Sequence, residues 1–397
     1  MSSFDELDVV RLRDRPGAKW QLYGPEVLPS WVADMDVEPA PPVRAALQSY
    51  LDRGDLGYAA VRAPQALAPV AAARMKDRFG WEVDPDEVVV MTDVVQGIEA
   101  VLHLWAEPAS GVAIQTPIYP PFLRAIDVGR YRLVDNPLVR TESSWELDVA
   151  GLRRAIVTEG CRVLLLCNPH NPTGRAFRAD ELEQLAAVAE DHDLLVISDE
   201  IWADVVHAPN VHLPFAALGP EVQARTVTLT SATKAFGMPA VKCAVAHLGH
   251  AGLRERFAAL PSHLFGSVSQ FGVLATLAAW EEGDEWLAEL VDHLGRQRRL
   301  LVELMAERLP DVPWVVPEAT YLAWLDFRGA GLPCEPCELF LSEAKVALGK
   351  GPDFGVHGEG FTRLNFATTS AVLSEIVDRM AAALAAATGG VERLTRP

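Results

Sequence analysis

Five short apolar runs punctuate the chain between residues 88 and 230: VVVM at 88–91, VAI at 112–114, RVLLLC at 162–167, LLVIS at 194–198 and TVTLT at 226–230. Each is far shorter than the roughly 18 residues of a membrane-spanning helix. The first four lack polar alternation, the pattern of strands covered on both faces, whereas threonines interleave the fifth. Helical periodicity separates several of the runs. Leu182, Leu185, Ala186 and Ala189 recur at helix spacing behind an acidic opening at Asp180 and Glu181. The pattern predicts an α/β class built on a mainly parallel central sheet flanked by helices. A sixth run, CAVAHL at 243–248, follows too closely for a crossover helix and is expected to be an antiparallel strand.

Beyond about residue 285 the pattern changes to a long amphipathic helix carrying Leu287, Leu290, Leu294 and Leu301, then to scattered strands such as TYLAWLDF at 320–327. The first 45 residues are rich in Pro and Trp and read as an extended arm. The expected organisation is an arm at 1–45 that joins the small domain, a large domain at 46–285, and a smaller α+β domain at 286–397. The Ala-rich stretch at 381–387 is expected to be helical.

Composition excludes disordered and fibrous classes, since 50% of the 397 residues are hydrophobic and 22% charged. A net charge of -19, from 35 Lys+Arg against 54 Asp+Glu, repels phosphate backbones and anionic membranes, so nucleic acid and membrane partners are not expected. The amino terminus MSSFDELDVV has no basic n-region or apolar h-region, which implies an unexported, cytoplasmic protein. Five cysteines are an odd number, and Cys161, Cys167 and Cys243 lie in apolar runs as small hydrophobes. Cys334 and Cys337 form a single C-x-x-C in a Pro-flanked loop with no second pair, which argues against zinc, and a reducing compartment fits this usage.

In open parallel sheets ligands bind beyond the carboxyl ends of the strands. Those ends are polar here: Thr92-Asp93-Val94-Val95-Gln96 after the first run, Thr116 to Tyr119 after the second, Asn168 to Gly174 after the third, Asp199-Glu200 after the fourth, and Ser231 to Lys234 after the fifth. Singly, each has a structural explanation. Asp199 could cap a helix, Lys234 could be a solvated surface lysine, Tyr119 a core aromatic with a wet hydroxyl, and the Asn-Pro pairs turn formers. Together they would face one crevice. P-loop, nucleophile-elbow and dinucleotide-binding motifs are absent, and His207 and His212 lack further ligands at metal spacing. The crevice instead matches the needs of pyridoxal phosphate: a lysine, an anion for the ring nitrogen, phosphate donors and a flat group against the ring. Such a lysine must be neutral to attack an aldehyde, so its pKa is expected to be depressed.

The segments WVADMD at 31–36, LGY at 56–58, TPIYPPF at 116–122, LCNPHNPTGR at 166–175, SDEI at 198–201, SATK at 231–234, ATYLAWLDF at 319–327 and FTRLN at 361–365 occur in the order found in fold-type I pyridoxal-phosphate enzymes. The chain resembles the MalY/PatB branch of cystathionine β-lyase-like C–S lyases. That resemblance implies that Lys234 anchors the cofactor, Asp199 partners the pyridinium nitrogen, Asn171 donates to the ring hydroxyl and Tyr119 stacks on the ring. It also implies phosphate contacts from Ser231, Lys242 and the backbone at Val94 and Val95, with Tyr58 reaching across a homodimer interface to the neighbouring subunit's phosphate. Arg363 is implied as the clamp for the substrate α-carboxylate, a task suited to its planar fork, with Asn171 and Trp31 also beside the substrate and Trp202 beside the cofactor.

Three departures stand out. Asp93 occupies a position that is often glycine in the branch, and its carboxylate is expected to turn away from a phosphate. Trp202 replaces a histidine or tyrosine, so the ring loses a donor and the indole reshapes the pocket. The stretch Phe236-Gly237-Met238-Pro239-Ala240 lacks the usual asparagine. The expected activity is β-elimination from cystathionine or another cysteine S-conjugate, yielding a thiol, pyruvate and ammonia. Aminotransfer, oxidative or decarboxylating deamination of a bulky cysteine conjugate, and a binding role without catalysis are the alternatives.

Overall fold

A computed structural model describes residues 3–54, 56–57, 65–261, 264 and 266–394. The strands in chain order are β1 (Leu28–Ser30), β2 (Val88–Met91), β3 (Gly111–Ile114), β4 (Arg132–Asp135), the short ribbon β5 (Val139–Arg140) and β6 (Trp145–Glu146), β7 (Cys161–Cys167), β8 (Leu195–Asp199), β9 (Thr226–Thr230), β10 (Ala244–Leu248), β11 (Leu322–Asp326), β12 (Val346–Lys350) and β13 (Phe361–Asn365). Seven of them form one sheet in the order β2-β10-β9-β8-β7-β3-β4. Only β10 runs against its neighbours, pairing antiparallel with both β2 and β9. Strands β2 and β9 therefore point the same way as the parallel core of β8, β7, β3 and β4.

Alternation along β7 explains the layering. Val163 and Leu165 face helices that contribute Ile98, Val101 and Phe122, while Leu164 and Leu166 face Leu152, Leu182 and Leu185 on the opposite side. Burying such a side chain completely contributes about 1.5–3 kcal/mol, so both faces of the sheet are strongly specified. The threonines of β9 are also buried, since a central strand satisfies its backbone through both neighbours. The expectation of two-sided cover fails for β2, whose first three residues are only half-buried because it is an edge strand with β10 as its one partner. The helix Val94–Trp105 lies close over the sheet, and Gly97 permits the approach: a Cβ there would stand 2.6 Å from Leu229 Cδ2. Its amino terminus consequently opens at the carboxyl edge.

The second sheet has the order β1-β12-β13-β11. Its strand β1 comes from the other end of the chain and pairs parallel with β12, Leu28 opposite Val346. The long helix Asp284–Arg308 buries Leu287, Leu290, Leu294 and Leu301 beneath this part of the molecule. The amino-terminal segment is not simply extended, for it contains the short helices Val9–Arg13 and Ala18–Gln21. It is pinned where Asp36 accepts from Lys19 Nζ at 2.8 Å and Trp20 Nε1 at 2.7 Å in a buried cluster. Among the described residues no helix is long and apolar enough to cross a membrane.

Candidate active site

A cavity of about 460 Å³ opens at the carboxyl edge of the seven-stranded sheet. Asp199 at the end of β8, with Asn171, Ser231 and Lys234 from the segments after β7 and β9, lines it together with Val94, Val95, Tyr119, Trp202 and Lys242. Tyr58 lies outside the described residues. A larger recess of about 640 Å³ between Arg328, Cys334 and His357 in the carboxy-terminal lobe gathers none of these strand-end groups.

Ser231 caps the short helix Ala232–Ala235, accepting from the Thr233 N–H, and so places Lys234 just beyond the end of β9. Lys234 Nζ donates to the carbonyl of Ala33 at 2.7 Å and lies 5.7 Å from the centre of the Trp202 ring. Burial of the amine, reinforced by the Arg363 guanidinium and opposed by Asp34 and Asp199, lowers its pKa to about 8. Asp199 ends β8, and its Oδ1 accepts from the Ile201 N–H at 2.9 Å. Its burial and the adjacent Glu200 push it up to about 7, against the pull of that N–H and of Lys234. A cation placed against Asp199 would restore its charge.

Arg363 reaches the site from β13 in the smaller sheet. Its Nη1 donates to Asn171 Oδ1 and its Nη2 to the Trp31 carbonyl, each at 3.0 Å, and it lies over the Phe354 ring at 4.9 Å. Burial lowers its pKa to about 10. Its Nε has no acceptor among the described residues, and no carboxylate pairs with it there. A buried guanidinium held by neutral acceptors is suited to an incoming anion. Trp31 contributes its carbonyl rather than its ring, since the indole Nε1 donates to the Lys19 carbonyl at 3.3 Å and the ring meets Tyr23 edge-on.

Other singled-out residues take unexpected partners. Asp93 does not turn away: it lines the cavity, accepts from the Gln96 N–H at 2.9 Å and pairs with Lys242 Nζ at 3.0 Å. Helix capping and an available ammonium favour this placement. The Ser231 hydroxyl donates to the Cys243 carbonyl at 2.6 Å. Trp202 is buried edge-on against Tyr321 with ring centres 4.8 Å apart, and it forms part of the cavity wall. Phe236 leaves the cavity to stack on Trp286 in the core, and Pro239 of the same stretch remains in the wall.

The residues not anticipated from the sequence are chiefly the Ala33 carbonyl and its supports. Tyr321 Oη donates to it at 3.3 Å, while Asn365 Nδ2 donates to the flanking carbonyls of Val32 and Asp34 at 2.7 and 2.6 Å. WVADMD and FTRLN were visible as segments, but a backbone acceptor has no residue-type signature.

The profile of the family described as "Aminotransferase class I and II" matches residues 32–380. The chain belongs to that family. It is 31% identical over 373 residues to "Cystathionine beta-lyase PatB" of Bacillus subtilis (strain 168), covering 92% of this chain and 96% of that protein. It is 31% identical over 343 residues to "Protein MalY" of Escherichia coli (strain K12), with coverages of 86% and 87%. A crystal structure of the PLP-bound C–S lyase from Staphylococcus hominis superimposes with a TM-score of 0.90 at 28% identity, covering 96% of this chain and 98% of the other. The family is that of the fold-type I pyridoxal-phosphate enzymes, and the mainly parallel seven-stranded sheet is its central layer.

Proposed function

We propose that this member of the aminotransferase class I and II family is a pyridoxal 5′-phosphate-dependent carbon–sulfur β-lyase. It acts on cystathionine or another cysteine S-conjugate and releases a thiol, pyruvate and ammonia. The observation that carries the reading is the meeting of Lys234 and Asp199 at one cavity, with Arg363, which has no carboxylate partner among the described residues, bonded to Asn171 in its wall, in a chain collinear with proteins named as C–S lyases.

The residues present fit the cofactor. Asp199 would face the protonated ring nitrogen, Asn171 the ring hydroxyl and Tyr119 the ring face. The first-turn N–H groups of Val94 and Val95, with Ser231 and Lys242, would receive the phosphate. When bound, the cofactor supplies an electron sink for the charge left on the substrate Cα. Arg363, steadied by Asn171 and the Trp31 carbonyl, binds the α-carboxylate and fixes which Cα bond is presented. Lys234, with its pKa near 8, is neutral often enough at mildly alkaline pH to take the Cα proton. The Ala33 carbonyl, 2.7 Å from its Nζ, is placed to hold the resulting ammonium while the β-sulfur leaves. The buried Trp202 ring, backed edge-on by Tyr321, forms the wall beside that amine.

In the same reading residues 46–285 carry the cofactor, the arm and residues 286–397 close over the substrate, and two cytoplasmic chains form a homodimer with Tyr58 in the neighbouring site. Sedimentation of the holoenzyme tests the assembly, and a catalytically active monomer would contradict it. For the reaction, an S-substituted cysteine supplied without a keto acid is expected to yield equal amounts of thiol and pyruvate. Turnover that stops after one equivalent until a keto acid is added would identify an aminotransferase instead.

A further inference from the structure

Where Val94, Val95 and Lys242 would receive the phosphate, the cavity also holds a carboxylate, Asp93, that the proposed reaction does not use. Asp93 closes the first turn of the helix Val94–Trp105 with one carboxylate oxygen on the Gln96 N–H at 2.9 Å. The other oxygen accepts from Lys242 Nζ at 3.0 Å. One side chain therefore engages both kinds of donor that a phosphate ester would seek here, a first-turn amide and an ammonium. The backbone beneath Lys242 is braced. Lys242 sits at φ 53° in the left-handed region, and a Cβ on the underlying Gly272 would lie 2.6 Å from the Val241 carbonyl oxygen and 3.0 Å from that of Lys242. Neither charge is desolvated within the single chain, the Lys242 side chain being 63% and that of Asp93 34% exposed. Lys234 and Arg363 differ sharply, for neither has a carboxylate partner among the described residues.

We propose that Asp93 is a built-in stand-in for the cofactor's phosphate, which caps the helix and neutralises Lys242 when the cofactor is away and competes with the phosphate when it binds. The inference rests on the pyridoxal-phosphate reading and deepens it. A phosphate ester carries close to two negative charges near neutral pH. On arrival it must share Lys242 and accept a carboxylate as a neighbour, so Asp93 weakens binding of the phosphorylated cofactor and eases its exchange. Pyridoxal, which has the same ring and aldehyde but no phosphate, does not feel this competition.

The test is a spectroscopic titration of cofactor-free protein with pyridoxal 5′-phosphate and, separately, with pyridoxal. Asp93→Asn keeps the capping oxygen and removes the charge, and Asp93→Ser does the same with a shorter cap. Both variants are expected to tighten pyridoxal 5′-phosphate binding by about fivefold, the scale of one partly exposed charge contact. The gain should shrink in high salt, and pyridoxal affinity should stay unchanged. Lys242→Met should cost more affinity in the Asp93→Asn background than in the natural protein, because Lys242 then serves the phosphate alone. The proposal is overturned if both variants leave phosphate-cofactor binding unchanged or weaker, or if pyridoxal tightens equally. A natural protein that forms no Lys234-dependent absorbance band with pyridoxal 5′-phosphate would instead overturn the cofactor reading, and this inference with it.

Discussion

The two sides of the cavity are assembled by different means. One side, from Asp93 to Lys242, is a set of loops at successive strand ends of a single sheet, where the order of runs along the chain already brings the side chains together. The other side joins the two ends of the chain. Arg363 on β13 grips the Trp31 carbonyl, Ser30 Oγ donates to the Asn365 carbonyl at 2.8 Å, and Asn365 holds Val32 and Asp34. The first side supplies groups that titrate; the second supplies carbonyls and one guanidinium that orient. Chemistry can be carried by residues close in sequence, whereas a lid over that chemistry has to come from elsewhere in the fold.

Removing the central group of the first side should have the largest effect. Lys234→Ala is expected to lower turnover by about a thousandfold or more, in the range of lost proton-transfer catalysis, and to eliminate the borohydride-trappable cofactor adduct seen by mass spectrometry. An adduct retained on Lys242 would show that the strand-end side is organised around a different lysine.

On the second side, Asn365→Leu loosens the arm and leaves the strand-end side chains in place. It removes one donor from each of the carbonyls of Val32 and Asp34, which keep the Asp34 N–H and Lys19 Nζ, and takes the acceptor from the buried Ala367 N–H, at a cost of about 1–3 kcal/mol in unfolding free energy. The apparent KM for the amino acid should rise more than kcat falls, while the absorbance of the bound cofactor stays the same. A lost cofactor band would mean that the arm also organises the first side, and the contrast between the two sides would fail.

The smallest effect concerns Asp199 in cofactor-free protein. Its folded pKa, about 7, exceeds the ordinary 3.8. Between those values the folded state holds a proton that the unfolded state has lost, so stability falls as pH rises through that window. Asp199→Asn removes the charge that is buried above pH 7. It should raise the melting temperature of the cofactor-free protein by a few degrees at pH 8 and leave it nearly unchanged at pH 4. Equal shifts at the two pH values would assign the gain to packing rather than to the buried charge.

How much of this was legible in the chain follows the same division. The five runs and CAVAHL became β2, β3, β7, β8, β9 and β10, because short apolar stretches bounded by turn residues leave little choice of element. The edge position of β2 was not legible, since run composition says nothing about how many neighbours a strand has. The helices within the arm were missed because they span five and four residues, too short for periodicity to register. Asp93 was read by its charge alone, and the ammonium that offsets it lies 149 residues away.

The sequence by itself determined the strand-end groups and their chemical kinds: the lysine, the carboxylate, the amide and the aromatic ring, each tied to a local strand-to-loop transition. The tertiary structure decided their protonation and partners. Lys234 is held near pKa 8 and Asp199 near 7 by burial, and Ala33 becomes an acceptor only because β1 joins β12 across the length of the chain. Residue type is a local property, whereas desolvation and the direction of a carbonyl are set by whatever else the fold packs around them.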